Sequence, residues 1–113
     1  MNVSKKPPKG LSREAAGIWR SVVDVWLLEP THLRLLEAAC RQWDRAIAAR
    51  KVLADRGLVM LDRFGQEKPH PMIDVERKAL DAFRLTLREL GLREDGAQPG
   101  RPPRIAGRYV QED

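Results

Sequence analysis

Two histidines, one cysteine and two pairs of neighbouring carboxylates are the residues of this sequence that could support acid–base, nucleophilic or metal chemistry. His32 and His70 lie in different predicted elements, so a metal site that used both imidazoles would depend on their meeting in the folded chain. His70 stands between Pro69 and Pro71, and a residue before proline is restricted to extended conformations. We interpret His70 as part of a boundary between two elements and predict no metal site.

The other reactive groups also lack a catalytic setting. Cys40 is the only cysteine and falls within an apolar helical pattern, so we expect a small core residue in an intracellular chain. The carboxylate pairs lie near the carboxyl end, where solvation gives the two acids no separate roles. The patterns GxxxxGKS/T, GxSxG and HExxH do not occur. The sequence therefore predicts a protein that is not an enzyme and needs no cofactor.

Three amphipathic helices and one hairpin are predicted to position the remaining residues. The first helix starts after Ser12, an N-cap, and runs to about Trp26. The second runs from Pro30 to about Arg56, and its length of roughly 40 Å exceeds what so small a core requires, which favours oligomeric packing. Residues 58–68 form a small β-hairpin. The third helix starts at Pro71 and ends at Gly91, with Glu76 as the only polar member of its apolar stripe.

These elements predict a mainly α fold: a three-helix domain with a long central helix and a small β-hairpin before the third helix, packed into an oligomer. We divide the chain into a flexible basic arm (1–10), a helical oligomerisation core (11–92) and a flexible tail (93–113). Ile105, Tyr109 and Val110 are candidate anchors through which the tail docks on a partner. No apolar run is long enough to span a bilayer, so we expect a soluble protein with no membrane partner.

The positive charge is concentrated in the first half of the chain. The net charge is +5, and residues 1–57 hold eleven Lys or Arg against six Asp or Glu, whereas the remainder is balanced. A basic half joined to a neutral half favours contact with a polyanion on one face and protein contacts elsewhere. An ordinary solvated surface is the alternative interpretation.

Four stretches, in this order and spacing, resemble the small terminase subunits of tailed phages. They are PPKGLSREAAGIWRSVV (7–23), LLEPTHLRLLEAAC (27–40), the hairpin GLVMLDRFGQEKPHP and the closing LRELGL (87–92). The chain departs from the family pattern at Glu29 and His32, where a threonine and an aspartate are usual, and at residues 93–95, where Arg-Glu-Asp replaces a Thr-Pro-Ser step.

The resemblance implies a ring that recognises double-stranded viral DNA at the start of packaging and that loads and regulates the large terminase subunit, which holds the ATPase and nuclease. It places the protein in the cytoplasm of the infected bacterial host. It also makes the helical core (11–92) the DNA-binding part, with DNA contact expected mainly at phosphates. The residues expected to make it are Lys5, Lys6, Lys9, Arg13, Arg20, Arg41 and Arg45.

Two other classes of protein remain open at this point. The first two helices could form a helix-turn-helix transcriptional regulator, although the second is much longer than a recognition helix requires. A helical adaptor that binds no DNA is the other alternative.

Overall fold

A computed structural model of the chain describes residues 6–92. The elements in chain order are α1 (Arg13–Val23), α2 (Pro30–Arg56), β1 (Val59–Leu61), β2 (Glu67–Pro69) and α3 (Pro71–Leu90). This architecture confirms the predicted mainly α class, with a long central helix and an antiparallel two-stranded hairpin immediately before the third helix.

α1 begins where the sequence predicts and ends three residues earlier. The Ser12 side chain accepts a hydrogen bond from the Ala15 amide at 3.0 Å, as an N-cap does. The helix stops at Val23, and the amides of Val25 and Trp26 both donate to the Val22 carbonyl in a closing turn. Trp26 is buried although it lies outside the helix. The sequence pattern correctly predicts that the Trp26 side chain is buried. The predicted extension of the helix to Trp26 was wrong, because the chain turns toward α2 before that residue.

α2 is bounded by residues with fixed backbone preferences. Pro30 occupies its first position, where a missing N–H leaves no hydrogen bond unmade. Just before it, the Glu29 amide donates to Nδ1 of His32 at 3.1 Å. Gly57 closes the far end at φ 87°, a value that residues with a side chain rarely adopt. His32 therefore caps the start of α2. The departure from the family pattern at Glu29 and His32 still leaves this end of the helix with a hydrogen-bonded cap.

α3 packs antiparallel against α2. The guanidinium of Arg50 donates to the Glu76 carboxylate at 2.7 Å. Seven residues earlier in α2 and seven residues later in α3, the rings of Trp43 and Phe83 lie 5.2 Å apart. Small buried side chains between these contacts let the two helices approach closely. They are Ala46 and Ala49 of α2 and Ala79 of α3. Leu90 of α3 also shares a buried cluster with Leu36 of α2, so α3 covers most of α2, and much of the length that suggested oligomeric packing is used within the chain itself.

The largest core lies at the other end of this helical pair, where α1 packs over the first half of α2. Its fully buried members include Trp19 of α1, Leu36 of α2 and Leu90 of α3, so all three helices contribute. Leu11 and Leu92 pack against the same cluster from the two ends of the described chain. The molecule is therefore a helical rod, with α1 at one end and the hairpin at the other. No helix within residues 6–92 is both long and apolar enough to cross a membrane.

His70 connects the hairpin to α3. Its amide donates to the Leu58 carbonyl at 2.8 Å, which closes the hairpin, and its backbone is extended at φ −66° and ψ 136°. Its Nδ1 accepts a hydrogen bond from the Met72 amide at 3.1 Å. His70 is therefore the N-cap of α3, a more specific structural role than the boundary that the two prolines indicate.

Replacing His70 by alanine should remove this acceptor and lower the free energy of unfolding by about 0.5–1 kcal/mol, the usual size of a helix-cap contribution. His70→Asn should retain most of the stability, because an amide oxygen can accept the same hydrogen bond. Urea unfolding monitored by circular dichroism measures both changes. Equal loss in the two variants would contradict a capping role.

Candidate nucleic-acid interface

The outward face of α2 carries a row of exposed arginines. Arg34, Arg41, Arg45 and Arg56 are separated by seven, four and eleven residues, spacings that place them on one side of a helix. We call these four residues the α2 arginine stripe. Ala38, Ala48 and Val52 lie among them on this side and are exposed. Glu37 also stands one turn before Arg41, so the stripe presents mostly positive charge over roughly 33 Å of helix.

The members of the stripe differ in how strongly they are paired. Arg41 forms an ion pair with Glu37 at 2.7 Å, and Arg56 lies 3.5 Å from Asp55. Arg34 and Arg45 form no ion pair or hydrogen bond with any other part of the described chain. These two guanidinium groups are thus fully available to an anionic ligand.

A second exposed row lies on α1. Arg13 and Arg20 are two turns apart on its solvent face, with Gly17 between them, and neither forms an ion pair among residues 6–92. This places them as predicted, away from the apolar stripe that contains Trp19. The side chains of Lys6 and Lys9 are exposed as well. Lys5 and the candidate tail anchors Ile105, Tyr109 and Val110 lie outside the described residues.

The root of the basic arm is attached to the middle of α2. The Asp44 carboxylate accepts from the Ser12 amide at 2.8 Å and from the Ser12 hydroxyl, and the Trp43 indole donates to Glu14 at 3.0 Å. One turn earlier, Arg41 donates to the carbonyl of Lys9 at 3.2 Å. The structure thereby brings Lys9 and Arg41 together, two residues that were predicted independently to contact DNA.

Three basic side chains of α3 form ion pairs with acidic side chains of the same helix. Arg77 and Lys78 both bond to Asp74, and Arg84 bonds to Asp81 at 3.0 Å. The hydrogen bond from Arg77, followed by that from Lys78, holds the pKa of Asp74 below its ordinary value. The excess positive charge of the described chain therefore lies on α1 and α2.

Arg34 and Arg56 are members of the stripe that the sequence prediction missed, because it selected Arg41 and Arg45 alone. Their spacing from Arg41 and Arg45 is readable in the sequence, since a heptad step and an eleven-residue step both return to the same helix face. The pairing of Arg41 with Glu37, four residues apart, is also readable in the sequence, whereas the contact of Arg41 with the Lys9 carbonyl is not.

Cys40 has the properties of a core residue rather than a nucleophile. It is completely buried beside α1, and burial, assisted by Asp44 and Glu37, raises the pKa of its thiol to about 11. No group of three or more His, Cys, Asp or Glu side chains is arranged to hold a metal ion within residues 6–92.

A family model described as phage terminase, small subunit, matches residues 15–95, which include almost all of α1 and the whole of α2, the hairpin and α3. The chain belongs to the phage terminase small-subunit family. No curated protein and no solved structure shows significant similarity to it. For this small terminase subunit, the exposed arginines of α1 and α2 are therefore candidates for contact with packaged DNA.

Alkylation of Cys40 by iodoacetamide at pH 8 should be at least about 100-fold slower in the native protein than in denaturant, because the folded pKa leaves far less thiolate and burial blocks access. Mass spectrometry of quenched samples measures the rate. Fast labelling of the native protein would show that this core opens.

The same pKa shift has a consequence for stability. Because the folded pKa is raised from 9.0 to about 11, the unfolded chain releases its thiol proton first as pH rises. The contribution of Cys40 should be constant below pH 9 and should decline between pH 9 and 11. The difference in unfolding free energy between the parent and Cys40→Ala should shrink over that interval.

Proposed function

We propose that this small terminase subunit binds double-stranded viral DNA through the α2 arginine stripe, together with Arg13, Arg20 and the basic arm, and that it loads and regulates the large subunit. The observation that carries the proposal is the exposure of Arg34 and Arg45 on one helix face without any partner among residues 6–92. The packaging role places the protein in the cytoplasm of the infected bacterial host.

Contacts of this kind are made to the DNA backbone. Guanidinium groups pair with phosphate oxygens and release condensed counterions, so affinity falls steeply with salt and depends little on sequence. Each site is weak alone. In a closed assembly of several copies, the effective concentration of neighbouring sites multiplies their combined affinity. A ring of these rods is therefore the arrangement in which modest contacts from each copy hold one duplex firmly.

Arg45→Gln and Arg34→Gln should each weaken DNA binding and reduce the slope of log K against log salt by about one for every copy in contact with the duplex. Fluorescence anisotropy of a labelled duplex between about 50 and 200 mM salt measures the slope. The matched control is Arg84→Gln, since Arg84 is also exposed but paired with Asp81 on α3.

Equal slopes for the parent and both stripe variants, with binding intact, would place the DNA contact elsewhere. Absence of binding by the parent protein at low salt would remove the DNA part of the proposal and favour a helical adaptor. A dimer in light scattering, with strong preference for one sequence, would favour a helix-turn-helix regulator.

The regulatory part of the proposal concerns the ATPase and nuclease of the large subunit. The full chain should change the ATPase rate of the large subunit in the presence of DNA. A chain ending at Leu92 should still bind DNA but lose this effect, because residues 93–113 are proposed to dock on the large subunit through Ile105, Tyr109 and Val110. An ATPase rate that the full chain leaves unchanged, with and without DNA, would contradict the regulatory role.

A further inference from the structure

The hairpin exposes an unusual amount of apolar surface for so short a segment. Among residues 58–64, the exposed fractions are 61% for Leu58, 53% for Val59, 63% for Leu61 and 76% for Phe64. Single exposed apolar residues are ordinary, whereas a contiguous group of this size is typical of a protein-binding surface. The charges of residues 58–70 are balanced, two against two, so the hairpin itself carries no net charge that would attract DNA.

The register of the hairpin gathers part of this surface on one face. Val59 pairs with Pro69 and Leu61 with Glu67, so these four side chains share a face, while Met60 and Lys68 lie on the other. Beside this face, Leu58, Val59, Pro69 and Ile73 line a groove of about 370 Å³ between the hairpin and the start of α3. Glu67 and Lys68 complete its lining. We call this feature the hairpin groove.

The turn that joins the two strands of the hairpin carries an apolar projection, the side chain of Phe64. The Asp62 carboxylate accepts from the amides of Phe64 and Gln66 at 2.8 and 2.9 Å, and Gly65 adopts φ 78°, so the turn has a fixed shape. Phe64 projects from this turn, with the guanidinium carbon of Arg63 5.4 Å from the centre of its ring. Neither Arg63 nor Glu67 has an ion-pair partner among residues 6–92. The projection therefore carries an unpaired cation, and the groove carries an unpaired carboxylate.

We propose that Phe64 of one copy inserts into the hairpin groove of the next copy, with Arg63 of the first facing Glu67 of the second. In the proposed contact each copy gives its projection to one neighbour and its groove to another, a head-to-tail arrangement that closes into a ring when the rotation between copies permits. This contact depends on the ring assembly in the proposed function, and it names the surface through which neighbouring copies of the ring bind each other.

The occupant is a second copy because each copy carries both halves of an oppositely charged pair. The projection carries Arg63 beside an aromatic ring, and the groove carries Glu67 beside an apolar wall, next to Lys68. The balanced charges of the hairpin avoid repulsion between copies of a basic chain. Insertion would bury about 150–250 Å² of Phe64 alone. A stable interface requires about 800 Å² from each partner, so the hairpin supplies the centre of the contact and adjoining helix surface supplies the remainder.

Phe64→Ser should convert the assembly to smaller species in size-exclusion chromatography with light scattering. Helix content should be unchanged, because this side chain is largely solvent-exposed. Leu85→Ser is the matched control, since Leu85 is a half-exposed apolar residue on α3, away from the hairpin. It should leave the assembly intact.

Charge exchange tests the pairing itself. Arg63→Glu and Glu67→Arg should each weaken the assembly, and the double variant should restore it, because every copy then presents both reversed charges. Loss of assembly in both single variants without restoration in the double variant would overturn the pairing of Arg63 with Glu67.

The outcomes separate this contact from the wider proposal. A monomeric parent protein would overturn both the ring and the contact. An oligomeric parent that Phe64→Ser leaves unchanged would overturn the contact while leaving the ring. If that variant stays oligomeric but no longer affects the ATPase of the large subunit, the hairpin docks on the large subunit instead of on a second copy.

Discussion

Close antiparallel packing of α3 against α2 determines where every candidate surface lies. The buried alanines along the contact let the helix axes approach, and the Arg50–Glu76 and Trp43–Phe83 contacts fix how far one helix can slide along the other. This pairing uses one side of α2, and α1 uses the adjacent side near its start. The side that remains carries the α2 arginine stripe. The hairpin must then project from the far end of the rod, because it connects the two helices there.

Local signals in the sequence predict the ends of most elements. Ser12, Pro30, Gly57 and Gly91 act through their own backbone geometry or through a neighbour within a few residues, so their roles do not depend on the rest of the fold. Trp26 shows the limit of this reasoning. Its apolar spacing continues the helical pattern, yet the need to turn toward α2 ends α1 earlier. An apolar stripe indicates which side chains are buried, but it does not determine that their backbone is helical.

The features that could not be predicted from the sequence are contacts between residues that are far apart in the chain. Glu76 stands out as a polar residue in an apolar stripe, but its partner Arg50 lies 26 positions earlier and could be identified only once α2 and α3 were placed side by side. The candidate site shows the same limit. The arginine spacing on α2 and the pairing of Arg41 with Glu37 are visible in the sequence, whereas the contact of Arg41 with Lys9 and the freedom of Arg34 and Arg45 arise from the folded arrangement.

The rod also has a direction. Leu11 and Leu92 pack on the same core cluster, so both ends of the described chain lie at the α1 end, while the hairpin stands at the opposite end. A fluorophore attached at an exposed position of α1 would be held at that same end, away from the hairpin. For copies aligned side by side with the same polarity, such labels would all lie at one rim, so they would report on a different surface from labels placed in the hairpin.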